Sequence, residues 1–223
     1  MAYEILFALS WVIAAGLLGL VISALFAGKL KLPRRKFLVP YVIITSLFTI
    51  GFFYLNAINL IDLLIQNWVY GVVAGVVFGA LLTRSVLSQP SSPDVSDRNL
   101  PFDIFWLGVV YGVIDALLLN VIPVIAIWNA FSQIGLLVTI QWQILAAVIG
   151  LGSSLLVTIL YHLGYPEFRN KKLGFALIGN TIITLAYLIS TNPLGAILSH
   201  TIMHIAAVIE GPETTIQLPP HYQ

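Results

Sequence analysis

The sequence predicts an all-α, polytopic membrane helix bundle of about seven transmembrane helices, and three observations carry that prediction. Apolar residues make up 59% of the chain and charged residues 9%, too little polar surface to coat a water-soluble fold of 223 residues. The apolar residues gather into runs near the roughly 20 residues that a helix needs to cross a hydrocarbon core. All ten Lys and Arg residues fall in three short polar stretches: Lys29, Lys31, Arg34, Arg35 and Lys36, then Arg84 and Arg98, then Arg169, Lys171 and Lys172. Cationic loops stay on the cytoplasmic side during insertion, so these stretches are expected in the cytoplasm and the intervening loops outside.

The first helix is expected over residues 5–28. Only Glu4 precedes its apolar run as a charged side chain and basic residues follow Gly28, the reverse of a secretory signal peptide, so it reads as an uncleaved anchor with its N-terminus outside. The second helix is expected over 37–56, with Pro40 tolerated in its first turn. Residues 57–67, with Asn59, Asp62, Gln66 and Asn67, read as an outer loop with a short interfacial turn. The third helix, 68–83, completes an N-terminal part of three transmembrane helices over residues 1–83. Residues 84–101, with Pro90, Ser91, Ser92, Pro93, Asp94 and Asp97, have the composition of a cytoplasmic linker. A C-terminal part over 102–209 holds four helices: 103–127, 143–162, 173–190 and a short last one at 194–209. Seven crossings put the tail, 210–223, in the cytoplasm beside the basic stretches. The expected location is a prokaryotic cytoplasmic membrane, with the lipid bilayer as the first partner.

Zero cysteines exclude disulfides, thiolate metal sites and thiol catalysis. The net charge of +1 is segregated by membrane side and offers no basic face, so no nucleic-acid partner is expected. Gly71, Gly75 and Gly79 line one helix face without side chains, either to receive a neighbouring helix of the same chain or to meet a membrane-protein partner. Gly16 and Gly19 repeat the device in the first helix.

Ionisable residues inside a bilayer are costly, about 2.5–3.5 kcal/mol each on the mildest scale, and so mark function or packing. Asp115 is the only acid within a predicted span and lies about 18 Å along its helix from Asp103, near the bilayer middle. His200 and His204 are one turn apart on one face of the last helix, about 15 and 9 Å deep counted from Glu210. Asn180 lies about 10 Å deep in the sixth helix, and His162 closes the fifth. Asp115, His162, His200 and His204 are therefore the candidate catalytic residues, with Tyr111 and Asn180 in the same pocket. The alternative is a carboxyl group that only specifies helix packing.

A zincin helix needs His-Glu-x-x-His, whereas the run here is His200-Thr201-Ile202-Met203-His204, without the carboxylate that activates metal-bound water. A metal site from His200, His204 and Asp115 or His162 stays open, since an i, i+4 pair supplies two ligands. Neither CxxCH nor a paired-helix histidine pattern points to haem, and no cofactor is named by the sequence.

The order of these residues resembles the CPBP intramembrane protease family, which includes the type II CAAX prenyl endopeptidases and bacteriocin-immunity relatives. The family pattern is Glu-Glu-x-x-x-Arg, then Phe-x-x-x-His, then His-x-x-x-Asn. Here Ile114 and Asp115 stand for the Glu pair and Leu119 for the Arg, Thr158 and His162 make the second motif, and His200 and His204 the third. The resemblance spans roughly 112–207 and implies an intramembrane endopeptidase in which the acid activates water and the histidines orient it or stabilise the oxyanion. With Ile114 and Leu119 in place of Glu and Arg, a divergent or degenerate member is expected. The competing class is a noncatalytic membrane-complex subunit, or a small-solute or proton carrier using the same polar group. The tail from Glu210, with Pro219, Pro220, His221 and Tyr222, reads as packed on its own helix ends, as a docking peptide for a partner, or as a plug over the pocket.

Overall fold

A computed structural model describes residues 2–91 and 99–221. These residues form helices and short connections, with no strand among the described residues. Helix α1 covers Ala2–Lys29, its last turns widened into a π-helix over Ser23–Lys29. Helix α2, Arg34–Leu55, starts where Pro33 leaves an extended backbone. The short α3, Leu60–Ile65, occupies the connection expected to be a loop, and Asn59 caps it by accepting the Ile61 backbone N–H at 3.0 Å. Helix α4 is Trp68–Val86 and α5 is Leu100–Gln133. Helix α6, Ile140–Leu163, is followed by a 3₁₀ turn at Pro166–Phe168, then α7, Lys172–Ser190, and α8, Leu194–Glu210.

Among the described residues, six helices are long and apolar enough to cross a membrane by length and composition. Helix α8 is apolar but has only 17 residues. The expected helix at 103–127 is too short at both ends: α5 begins at Leu100, where the Asn99 side chain caps it and Pro101 fits the first turn, and runs on to Gln133. Of the expected linker, α4 takes the residues up to Val86, and α5 takes those from Leu100. Ser92, Pro93, Asp94, Asp97, Arg98 and Tyr222 lie outside the described residues.

Helix α5 runs through the centre, and every residue from 118 to 127 is buried. Two π-helical segments, Ile104–Val110 and Leu117–Val121, bracket its middle turns. Helix α8, although shorter than the six helices of spanning length, is held between two glycine faces. On one side Gly71, Gly75 and Gly79 of α4 meet Asn192, Leu198 and Ile202; a Cβ at Gly75 would lie 2.6 Å from Leu198 Cβ. On the other side Gly108 and Gly112 of α5 meet Ile205 and Thr201, with a Cβ at Gly112 only 2.7 Å from Thr201 Cα. Backbones without intervening side chains approach closely, and this approach carries the α8 histidines to the centre of α5. Gly16 and Gly19 likewise receive Leu160 and Tyr161 of α6.

The polar connections sort to two ends. At one, Arg34 pairs with Glu213 at 3.3 Å, Arg35 forms a bidentate pair with Asp103 at 2.8 and 2.7 Å, and His221 meets Glu167 at 2.7 Å. At the other, Asn67 donates to Thr191 at 2.9 Å and Asn192 donates to the Leu63 and Leu64 carbonyls at 3.0 Å. Between the ends, the outward faces carry large apolar side chains, among them Leu6, Ile13, Leu47, Ile50, Val77 and Ile178, each at least half exposed.

Candidate functional site

Asp115 lies in the short α-helical stretch between the two π segments of α5, buried at the middle of the bundle. Its Oδ1 accepts a hydrogen bond from the Tyr41 phenol of α2 at 2.5 Å. Its Oδ2 faces the Nε2 atoms of His200 at 3.8 Å and His204 at 3.7 Å. Those separations exceed a hydrogen bond, so Asp115 and His200 are adjacent without bonding directly, and Tyr41 is the partner that donates to the carboxylate.

The orientation of His200 follows from a chain of donors and acceptors. Ser154 of α6 donates to the Leu119 carbonyl at 2.6 Å and accepts from Asn180 Nδ2 at 2.8 Å. Asn180 Oδ1 then accepts from Asn120 Nδ2 at 2.7 Å, which also donates to Thr184 at 2.9 Å. Asn120 is left with its Oδ1 toward His200 Nδ1 at 3.3 Å. The oxygen can only accept, so His200 carries its proton on Nδ1 and turns a bare Nε2 toward Asp115. Asn120 sits in the Leu117–Val121 π segment, a helical distortion frequent at functional sites. His204 Nδ1 is buried with no hydrogen-bond partner among the described residues, and the ring packs edge-on against Tyr111 with centroids 4.8 Å apart.

A second buried layer is aromatic. Tyr165 donates to Tyr161 at 2.7 Å, Tyr161 and Tyr111 share a 2.9 Å bond, and Tyr111 donates to the Pro219 carbonyl at 3.1 Å. Tyr41 stacks on Tyr161 with centroids 5.5 Å apart. Four buried phenols thus have partners, as buried hydroxyls require.

Asp115, His162, His200, His204, Thr158 and Asn180 line one cavity of about 60 Å³, together with Leu119. The tail covers one side of it: Ile216, Gln217 and Pro219 are part of its wall. Gly211, with φ 151°, ends α8 in a conformation glycine favours and turns the chain back over the helix ends. Buried Arg34 then holds the tail by donating to the Pro212 carbonyl at 2.7 Å and to the Leu218 carbonyl, and Gln89 accepts the Ile216 N–H at 3.0 Å. A larger hollow of about 540 Å³ between α4 and α7, with Lys171 and Lys172 at its rim, shares Phe175, Gly179, Met203, Ile216 and Gln217 with the chamber wall.

The structure therefore gathers the sequence candidates around one cavity, with different contacts. Asp115, His200 and His204 face one another; His162 lines the wall, its Nδ1 at 2.9 Å from the Thr158 carbonyl. Asn180 orients Asn120 rather than touching Asp115, and Tyr111 backs His204 from outside the wall. Tyr41, Asn120, Ser154 and Thr184 escaped the sequence reading, although Asn120 was visible as a second polar residue inside the fourth predicted helix. Compared with protein-family models, curated proteins and solved structures, the chain matches none.

Proposed function

We propose that the chain is an integral membrane protein with its N-terminus outside and its C-terminus cytoplasmic, resembling a degenerate CPBP-type intramembrane protease built around Asp115, His200 and His204. Support for the membrane comes from six long apolar helices and their exposed aliphatic faces. Each such side chain left in water forgoes about 1.5–3 kcal/mol of burial, a loss that lipid removes. The contacts that join Arg34, Arg35 and the tail at one end agree with the orientation drawn from the basic stretches.

One observation carries the chemical reading: an acid and two histidines from separate helices converge on one buried cavity, 3.7 and 3.8 Å apart. In a hydrolytic step Asp115 Oδ2 takes one proton of a water in that cavity as the water oxygen adds to the peptide carbonyl, and the bare His200 Nε2 accepts the water's other O–H and so orients it. The carboxylic acid then gives its proton to the leaving amine as the C–N bond breaks. Tyr41 fixes the carboxylate so that Oδ2 faces the water. Leu119 in the cavity wall leaves no cation where the family has Arg, which sets this centre apart. Protein reconstituted in liposomes with prenylated and unprenylated membrane peptides tests the reading. Cleavage that Asp115→Asn abolishes without loss of folding supports it, and absence of cleavage even after the tail is removed rejects it.

The noncatalytic alternative, a membrane-complex subunit or a carrier of protons or a small solute, has its own support. A cavity of about 60 Å³ admits water or an ion and no peptide while the tail is seated. Proton or solute flux in the same liposomes, sensitive to Asp115→Asn, is the measurement that separates it from hydrolysis.

A further inference from the structure

A carboxylate oxygen and two imidazole nitrogens meet at Asp115. Tyr41 donates to Oδ1, and Oδ2 faces the two histidines. The Ser154, Asn180 and Asn120 relay puts the His200 proton on Nδ1 and leaves Nε2 as a lone pair. His204 turns Nε2 toward the same oxygen, and its buried Nδ1 has no hydrogen-bond partner among the described residues. Lone pairs directed at one another in a dry interior repel unless a positive centre lies between them. A shared proton is a poor match, because a charge-assisted N–H···O bond closes to about 2.7–2.9 Å and these pairs stand at 3.8 and 3.7 Å.

We infer that Asp115 Oδ2, His200 Nε2 and His204 Nε2 bind a divalent transition-metal ion of the zinc type. Their ligand atoms all lie within 4.8 Å of one another. Around zinc, with donors at about 2.0–2.2 Å, tetrahedral neighbours stand about 3.3–3.5 Å apart, so the two carboxylate edges tighten by a few tenths of an ångström. The two histidines, at i and i+4, close by ring rotation. Two imidazoles and one carboxylate form a nitrogen–oxygen set that suits zinc. Two of the ligands also have an outer partner that aims them: Tyr41 for Asp115 and Asn120 for His200. Thr158, His162 and Asn180 line the same cavity, so a water or ligand atom there would complete the coordination.

The site goes beyond the hydrolytic reading and stands or falls separately from it. Full-length protein purified in detergent, stripped by a chelator and titrated with Co²⁺ or Zn²⁺, provides the test. One equivalent per chain is expected, with visible Co²⁺ absorption, a chelator-reversible rise in Tm, and paramagnetically shifted proton resonances from two imidazoles. His200→Asn and His204→Asn should each weaken binding at least about 10-fold, and Asn120→Leu about 10–100-fold as loss of an outer partner. His221→Asn, outside the chamber, should leave the stoichiometry unchanged. Wild-type protein that takes up no stoichiometric metal overturns the site whatever the variants do, as does undiminished binding by the His200→Asn/His204→Asn double variant. Metal binding without peptide cleavage keeps the site and rejects the hydrolytic reading; peptide cleavage by a protein that takes up no metal does the reverse.

Discussion

The Tyr41 phenol donates to Oδ1 of Asp115 at 2.5 Å, tying α2 to the centre of α5 across 74 positions of sequence. Tyr41 is fully buried and stacks on Phe37 and Tyr161, so its ring is fixed independently of the bond. Tyr41→Phe keeps those contacts and removes only the donor. It should cost about 1–3 kcal/mol, the range for a buried acceptor left under-satisfied. Thermal unfolding in detergent should register a loss of a few degrees; an unchanged midpoint would show that the bond contributes nothing to stability.

The glycines separate by what they face. Gly112→Ala sets a methyl 2.7 Å from Thr201 Cα, against backbone that cannot swing away. Overpacking of this kind costs about 1–3 kcal/mol and should push α8 off α5. Gly75→Leu should act in the same way through Leu198 and the Leu194 carbonyl. Gly152→Ala meets nothing within 4 Å and should lose no stability, since alanine is the better helix former. Similar unfolding midpoints for Gly112→Ala and Gly152→Ala would contradict the close approach.

Much of this arrangement was legible in the residues, for physical reasons. Apolar runs and charge segregation report helices and ends directly, because each is a property of consecutive residues. Depth counting placed Asp115 and His200 at one level, since the rise of a helix is fixed. What counting cannot supply is rotation about the helix axis, and rotation decides that Tyr41 rather than His200 bonds Asp115. The π segments add to this, shifting Asn120 and everything after it around α5 by an amount that no sequence period reveals. Gly108 and Gly112 carried a readable four-residue spacing, yet the partner of such a face is a tertiary fact. Arg34 was read as a loop charge; its burial against Pro212 and Leu218 depends on a tail almost two hundred residues away, as the separation of 184 positions to Leu218 shows.

The proposed orientation makes a labelling prediction. Ser88 follows α4 at the end that holds Arg34 and the tail, and Ser132 lies near the opposite terminus of α5; both are exposed. Cysteines placed there, in a chain that has none, should react with an impermeant maleimide from opposite faces of intact vesicles: Ser132→Cys from outside, Ser88→Cys only after permeabilisation. Reaction of both from outside would reject an odd number of crossings between them and with it the cytoplasmic tail.

Cover of one side of the chamber by the tail predicts a change in access when its anchors are cut. Arg34 is 5% exposed and satisfies the Pro212 and Leu218 carbonyls as well as Glu213. His221 holds the far end, with Nδ1 at 2.7 Å from Glu167 and Nε2 at 2.6 Å from the Thr215 carbonyl. Arg34→Met removes three interactions at the near end while keeping much of the buried stem, and should leave Glu213 and two carbonyls to water. The tail should then lift before the bundle unfolds, because three of its anchors run to this one side chain. A hydrophobic carbodiimide reports the consequence: Asp115 should resist modification in the wild type and react in Arg34→Met and in a chain ending at Gly211, both with the circular dichroism of the intact bundle. Equal reactivity in all three would mean that the chamber opens elsewhere, through the hollow between α4 and α7, and that the tail only covers the helix ends.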